Sequence, residues 1–187
     1  MNWTERRKRQ ARRRAVRRVL LILAVAVALL AAIGLALGPE RATSSQALFA
    51  RPPETVWRVL LDLDGMPLWR SDLRALERLP DLEGRPAWRE IGRRGTRVIE
   101  LASAVPPTQL VLRQTRGGVP AFPVRTFELT AVPGGTRITL TERSRVGNPV
   151  RRVLDRIRPP RSELTRLLRD LEQRLGGTRR EVANRAD

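Results

Sequence analysis

The side chains with most capacity for chemistry are Glu142 and Arg125. A carboxylate and a guanidinium held together away from water can orient the polar end of a ligand or polarise a carbonyl. The competing reading is that both sit in solvent at the open end of a hairpin. Trp57, Trp69 and Trp88 are large, rigid surfaces that either line a pocket or fill a core. Asp62 and Asp64 are spaced for a cation, but no ladder of further oxygen ligands follows, so they read as solvated residues at a helix end. Ser44-Ser45 has no base partner and is no nucleophile. The chain contains no Cys, no His and no Tyr. This removes disulfides, thiolate nucleophiles, the commonest metal ligands and the commonest general base. Acid–base work would fall to Asp, Glu, Arg or water. No metal and no cofactor is expected, and no residue is assigned a catalytic role.

The elements that must position Glu142 and Arg125 are traced outward from Gly134-Gly135. As a two-residue hairpin loop, this pair supplies the positive φ that such turns require. Pro133 then lies opposite Thr136, and Ala131 pairs with Ile138, Leu129 with Leu140, and Phe127 with Glu142. The other face pairs Thr130 with Thr139, Glu128 with Thr141, and Thr126 with Arg143. One face is mostly apolar and the other polar, a separation that a slip of one residue would destroy. Arg125 shares the face of Phe127 and Leu129 and is a diagonal neighbour of Glu142.

The rest of this domain follows the same logic. Residues 43–51 read as a first strand, ended by Pro52-Pro53. Residues 54–64 read as a helix with Val56, Leu60 and Leu63 on one face, and a turn or short helix follows at Leu68-Trp69. Strands are expected at 72–79, 88–91, 96–103, 108–115, 124–132 and 136–146. Gly and Pro clusters, including 116–123, separate them, so consecutive strands are antiparallel. The dry face needs a cover, and the C-terminal segment is expected to provide it. Val150, Val153, Leu154 and Ile157 have helical spacing, and Pro159-Pro160 then interrupts. Ser162 is placed to cap a second helix in which Leu164, Leu167, Leu168, Leu171 and Leu175 form one stripe. Asp170 and Arg174 lie on its other face, spaced for an i,i+4 pair. Gly176-Gly177 ends it, and 177–187 is expected to be a flexible tail.

Ahead of the domain, residues 19–38 hold twenty residues without a charge. At about 1.5 Å per residue such a helix is about 30 Å long, the thickness of a bilayer's hydrocarbon core. Pro39 is expected to close it. The run exceeds the roughly 7–15 apolar residues of a cleaved signal peptide. Nine basic residues lie between Arg6 and Arg18. By the positive-inside rule, residues 1–18 stay in the cytoplasm, 19–38 cross the membrane once, and the C-terminal domain is extracytoplasmic. The net charge of +18 raises nucleic acid as a partner, but from Thr43 onward 27 basic residues face 17 acidic ones. All but Lys8 of the 37 basic residues are arginine, which reads as compositional bias of the source genome and makes nucleic acid an unfavoured partner.

The order of one strand, two short helices, some six antiparallel strands and a long final helix resembles the START-like, helix-grip fold of the SRPBCC superfamily. Within it, the resemblance is to polyketide cyclase/dehydrase-like members. It is carried by PPETVWRVLLDLDGMPLW (52–69), PPTQLVLR (106–113), FELTAVPGGTRITLTE (127–142) and SELTRLLRDLEQRL (162–175), and covers roughly 43–176. It implies an α+β domain: a curved antiparallel sheet of about six to seven strands wrapped on a long C-terminal helix, with a hollow between them. Members commonly hold an apolar small molecule or lipid there. The residues expected to face it are Trp57, Trp69, Leu112, Arg125, Phe127, Leu129, Leu140 and Glu142 from the body of the domain, with Leu164 and Leu168 from the helix. The leading expectation is a membrane-anchored binding protein for a hydrophobic small molecule or lipid. The alternatives are a polyketide cyclase/dehydratase-like enzyme and an arginine-rich interaction module.

Overall fold

The computed structural model describes residues 3–93, 95–116, 119–157, 162–176 and 179–180. Two compact units emerge, one containing the first and third helices and the other containing the sheet.

In the first unit, helix α1 runs Trp3–Ala36. It begins inside the basic segment and stops short of Pro39. A residue before proline is driven out of the helical region, so the break reaches back through Gly38. Within α1, the 21 residues Val16–Ala36 are long and apolar enough to cross a membrane. Helix α3, Pro149–Ile157, belongs with α1 and not with the sheet. The expectation that it helps cover the sheet's dry face is therefore corrected.

The second unit begins with strand β1, Glu40–Phe49, three residues earlier than expected, and helix α2, Pro53–Leu61. A 3-10 turn, Met66–Leu68, leads into β2, Leu73–Leu82, then β3, Arg85–Gly92, β4, Gly95–Val105, and β5, Gln109–Arg116. Strands β6, Val119–Val132, and β7, Gly135–Arg145, complete the sheet proper. Helix α4, Ser162–Arg174, follows, with a two-residue strand β8, Arg179–Arg180. The strand order is β2-β3-β4-β5-β6-β7-β1-β8, with every neighbouring pair antiparallel. It is the curved, helix-grip α+β sheet. Residues 119–123, expected in a turn, extend β6 instead. Its prolines are accommodated beside a register shift between Arg113 and Gln114 of β5, a place where a missing N–H is tolerated.

The β6–β7 hairpin is corrected by two residues. Val132 pairs with Gly135, so Pro133 and Gly134 are the central turn residues. Proline's fixed φ suits the first of these positions and Gly134, at φ 83°, the second. Gly135 is needed for another reason: at φ 151°, a Cβ there would lie 1.9 Å from the Phe49 carbonyl oxygen. Both faces of the hairpin keep their expected residues, and Arg125 now stands directly opposite Glu142.

Helix α4 is the cover. Leu164, Leu167, Leu168, Leu171 and Leu175 are all buried in one core with Phe127, Leu129, Ile138 and Leu140. Asp170 is not a surface partner of Arg174 as its spacing suggested. It is buried, and its Oδ2 accepts hydrogen bonds from Ser71 N and Ser71 Oγ, each at 2.8 Å. Arg51 Nε donates to the Leu175 carbonyl at 3.1 Å, satisfying an end-of-helix acceptor. The side chain of Ser162, Pro159-Pro160 and all of the tail except Arg179–Arg180 lie outside the described residues.

Candidate functional site

Strand alternation sets the chemistry of the inner face. The pairs Trp88–Ile99, Leu112–Arg125, Leu110–Phe127 and Phe127–Leu140 place those residues on the face toward α4, together with Glu90–Arg97 and Arg125–Glu142. The face is therefore divided. Leu110, Phe127, Leu129, Ile138 and Leu140 pack solidly against the leucines of α4. Glu90, Arg97, Arg125 and Glu142 form a charged region where packing is incomplete.

Two hollows lie in the charged region. The larger, about 260 Å³, is lined by Asp72, Glu90, Gly92, Arg93, Gly95, Thr96, Arg97 and Gln114, and by Glu163 and Arg166 of α4. The smaller, about 20 Å³, is lined by Arg70, Glu90, Arg97, Ile99, Leu112, Gln114, Pro123 and Arg125. The smaller has room for about one water molecule. Glu90, Arg97 and Gln114 belong to both, so one carboxylate, one guanidinium and one amide lie between the two hollows.

The floor is an ion-pair network. Arg70 Nη2 lies 2.8 Å from Asp72 Oδ2 and 2.8 Å from Glu90 Oε1, while Arg70 Nε donates to Asp72 Oδ1 at 3.1 Å. Arg97 Nε donates to Glu90 Oε2. The Arg70 and Glu90 side chains are each only 2% exposed. Glu90 Oε1 is paired by charge with Arg70 but accepts no hydrogen bond among the described residues. Burial pushes the Glu90 carboxyl up, but the Arg97 hydrogen bond and the charges of Arg70 and Arg97 outweigh it and hold the group below its ordinary value. Burial likewise opposes ionisation of Asp72, and the hydrogen bond and charge of Arg70 prevail. Arg97 is pushed down by burial and, more strongly, up by Glu90. Glu90, Asp72 and Arg97 are thus each held in the charged form near neutral pH, and Glu90 has no proton to donate there.

The sequence-predicted residues fall into three places. Trp57, Phe127, Leu129, Leu140, Leu164 and Leu168 are buried in the solid core, with Trp69 packed against it. Leu112 and Arg125 line the smaller hollow. Glu142 is not in water at an open hairpin end: its side chain is 17% exposed, and its Oε2 accepts from Arg125 Nε at 2.7 Å. None of these ten residues lines the larger cleft. The residues that do, Asp72, Glu90 and Arg97, escaped sequence reasoning. The available signal was Glu90, a charge at an inward position of WREI, two residues from Trp88, with Arg97 opposite it across the next turn. Asp62 and Asp64 each accept a hydrogen bond from the protein. Asp62 Oδ1 accepts from Gly65 N at 3.0 Å, and Asp64 Oδ1 accepts from Trp88 Nε1 at 3.1 Å.

The sequence profile of the polyketide cyclase/dehydrase and lipid transport family matches residues 41–176. No curated protein matches the sequence. Among solved structures, the di-domain aromatase/cyclase BexL of the BE-7585A biosynthetic pathway superposes with a TM-score of 0.60 at 13% identity, covering 78% of this chain and 53% of that one. The di-domain aromatase/cyclase StfQ of the steffimycin pathway gives 0.58 at 13%, covering 74% and 52%. The Zhui aromatase/cyclase from Streptomyces sp. R1128 gives 0.55 at 14%, covering 73% and 93%. This chain spans about half the length of the two di-domain proteins. At these identities the likeness is one of fold.

Proposed function

Because the chain belongs to the polyketide cyclase/dehydrase and lipid transport family, we propose that its sheet-and-helix domain binds a small amphipathic molecule, such as a lipid or another hydrophobic compound with a polar end. The polar end is held at the charged cleft between β3, β4 and α4. Helix α1 anchors the domain in a membrane, with the N-terminus cytoplasmic and the domain on the far side. The observation that carries this reading is the pair of buried Glu90 and partly exposed Arg97 lining a hollow of about 260 Å³. Ligand pockets of drug-sized molecules run from about 300 Å³ upward, so this cleft suits a headgroup or one to two rings and leaves a longer tail to follow the cleft outward. Arg93, Arg97 and Arg166 present guanidinium groups to an acid, phosphate or carbonyl. The anchor keeps the cleft close to a supply of membrane-derived ligand.

Native mass spectrometry of the detergent-extracted full-length protein tests this. A bound small molecule that is lost in Arg97→Gln supports it. An empty wild-type protein in every lipid and detergent tried overturns it. A cyclase or dehydratase reading has one specific observation in its favour, the guanidinium of Arg97 at the cleft, which can polarise a carbonyl. Glu90, held ionised by two arginines, is poorly suited to donate a proton, so binding is the better-supported function. Turnover of a polyketide-like substrate that disappears in Arg97→Gln while binding persists would favour the enzyme.

A further inference from the structure

We infer that α3 is a second membrane contact: an amphipathic helix that lies in the bilayer interface where α1 leaves the hydrocarbon, with Leu154 and Ile157 in the acyl boundary. The inference rests on the reading of α1 as a membrane span.

Its first support is position. Gly34 of α1 admits the backbone of Pro149, the first residue of α3, so closely that a Cβ at Gly34 would lie 1.9 Å from the Pro149 carbonyl oxygen. Arg152 then locks the two helices. Its Nη1 donates to the carbonyls of Gly34 at 3.1 Å and Leu37 at 3.2 Å, Nε to Val146 at 2.7 Å, and Nη2 to Gly147 at 3.2 Å. Val146 N also donates to the Pro39 carbonyl at 2.9 Å. Gly34 and Leu37 mark the last turn of an apolar span that ends at Ala36, so α3 is held at the depth of one membrane surface. The guanidinium also satisfies carbonyls that the end of α1 would otherwise leave unpaired.

Its second support is chemistry. On a helical wheel Val150, Val153, Leu154 and Ile157 occupy one arc, and Arg151, Arg152, Asp155 and Arg156 the opposite one. Val153 is buried, whereas Leu154 is 55% and Ile157 77% exposed. The exposed apolar side chains thus sit on a helix fixed beside a membrane exit. Arg151 and Arg156, also exposed, suit anionic headgroups. A short helix with this division of faces lies in the plane of an interface, apolar side down.

The absence of cysteine makes the test direct. Single variants Leu154→Cys, Ile157→Cys, Arg156→Cys and Leu23→Cys of the full-length protein are labelled with a polarity-sensitive fluorophore and placed in vesicles of phosphatidylcholine and phosphatidylglycerol. Lipids carrying quenchers at shallow or deep acyl positions are then added. Blue-shifted emission at 154 and 157, quenched by the shallow lipid, with water-like emission at 156, is the expected result. Deep quenching at Leu23 independently reports the span. Quenching at 23 with none at 154 and 157 overturns the inference and leaves the anchor standing. Blue-shifted but unquenched emission at 154 and 157 means a protein covers them, which also overturns it. No quenching at 23 removes the anchor and the inference together.

Discussion

Arg125 and Glu142 face each other directly across β6 and β7, with Nε 2.7 Å from Oε2. Their side chains are 11% and 17% exposed, and Arg125 Nη2 also lies 3.5 Å from Glu163 Oε2 of α4. One guanidinium therefore joins two strands and the helix that covers them. Removing Glu142 takes away the nearer counterion of a largely buried guanidinium and leaves it only the more distant Glu163. Glu142→Ala should lower unfolding stability by about 1–3 kcal/mol, less than a fully buried pair because water still reaches both groups. A double-mutant cycle with Arg125→Met, followed by urea denaturation, measures the coupling. A coupling energy indistinguishable from zero would mean that the pair is incidental.

Acid should lower the stability of the domain through the carboxylates of the cleft. Glu90 and Asp72 are both depressed from their ordinary values of 4.5 and 3.8 by the arginines beside them. The folded chain therefore holds these protons less tightly than the unfolded chain. Their contribution to stability is complete above those ordinary values and drains away as pH falls through the lower folded ones. Urea midpoints followed from about pH 7 to about pH 3 should fall along this acid limb. Glu90→Gln should lower stability at neutral pH and flatten the limb. An unchanged limb in that variant would contradict the assignment.

The hairpin makes a prediction about two adjacent glycines. Gly134→Ala meets open space and suffers only its positive φ, a cost of about 1 kcal/mol. Gly135→Ala suffers both an unfavourable φ and a collision with the Phe49 backbone, so it should cost clearly more, beyond about 1–3 kcal/mol of strain. Comparing the two variants by thermal unfolding decides the register. Equal effects, or a larger loss at Gly134, would restore Gly134-Gly135 as the loop.

That hairpin also shows what the sequence can carry. Alternation has a period of two, so it fixed which residues of β6 and β7 face inward but could not detect a slip of two residues. Only the preference of proline for the first central turn position distinguishes the registers. The leucine stripe of α4 was legible because five leucines at helical spacing admit one buried face. The same spacing identified α3, yet periodicity does not say which surface an apolar arc meets, and its partner proved to be α1. The charged cleft was least legible. Arg70, Glu90 and Arg97 look like ordinary surface residues, because the burial of one charge depends on another brought beside it by folding.

The attachment of α4 should depend on Asp170. This carboxylate accepts two hydrogen bonds from Ser71, backbone N and Oγ, and stands on the face of α4 beside the buried Leu167 and Leu171. Asp170→Ala leaves the Ser71 N–H without its acceptor and the helix without its polar tether. A loss of about 1.5–3 kcal/mol is expected, the range for a hydrogen bond to a charged group. Asp170→Asn keeps one acceptor oxygen of similar shape and should lose less. Hydrogen exchange adds a local readout: amides of α4 should exchange faster in Asp170→Ala, while those of the β3–β4 pair change little. The exposed neighbour Arg169→Ala is the control, because it removes a side chain from the same turn without touching Ser71. If Asp170→Ala behaves like Arg169→Ala in both stability and exchange, the leucines alone hold the helix and the tether is dispensable.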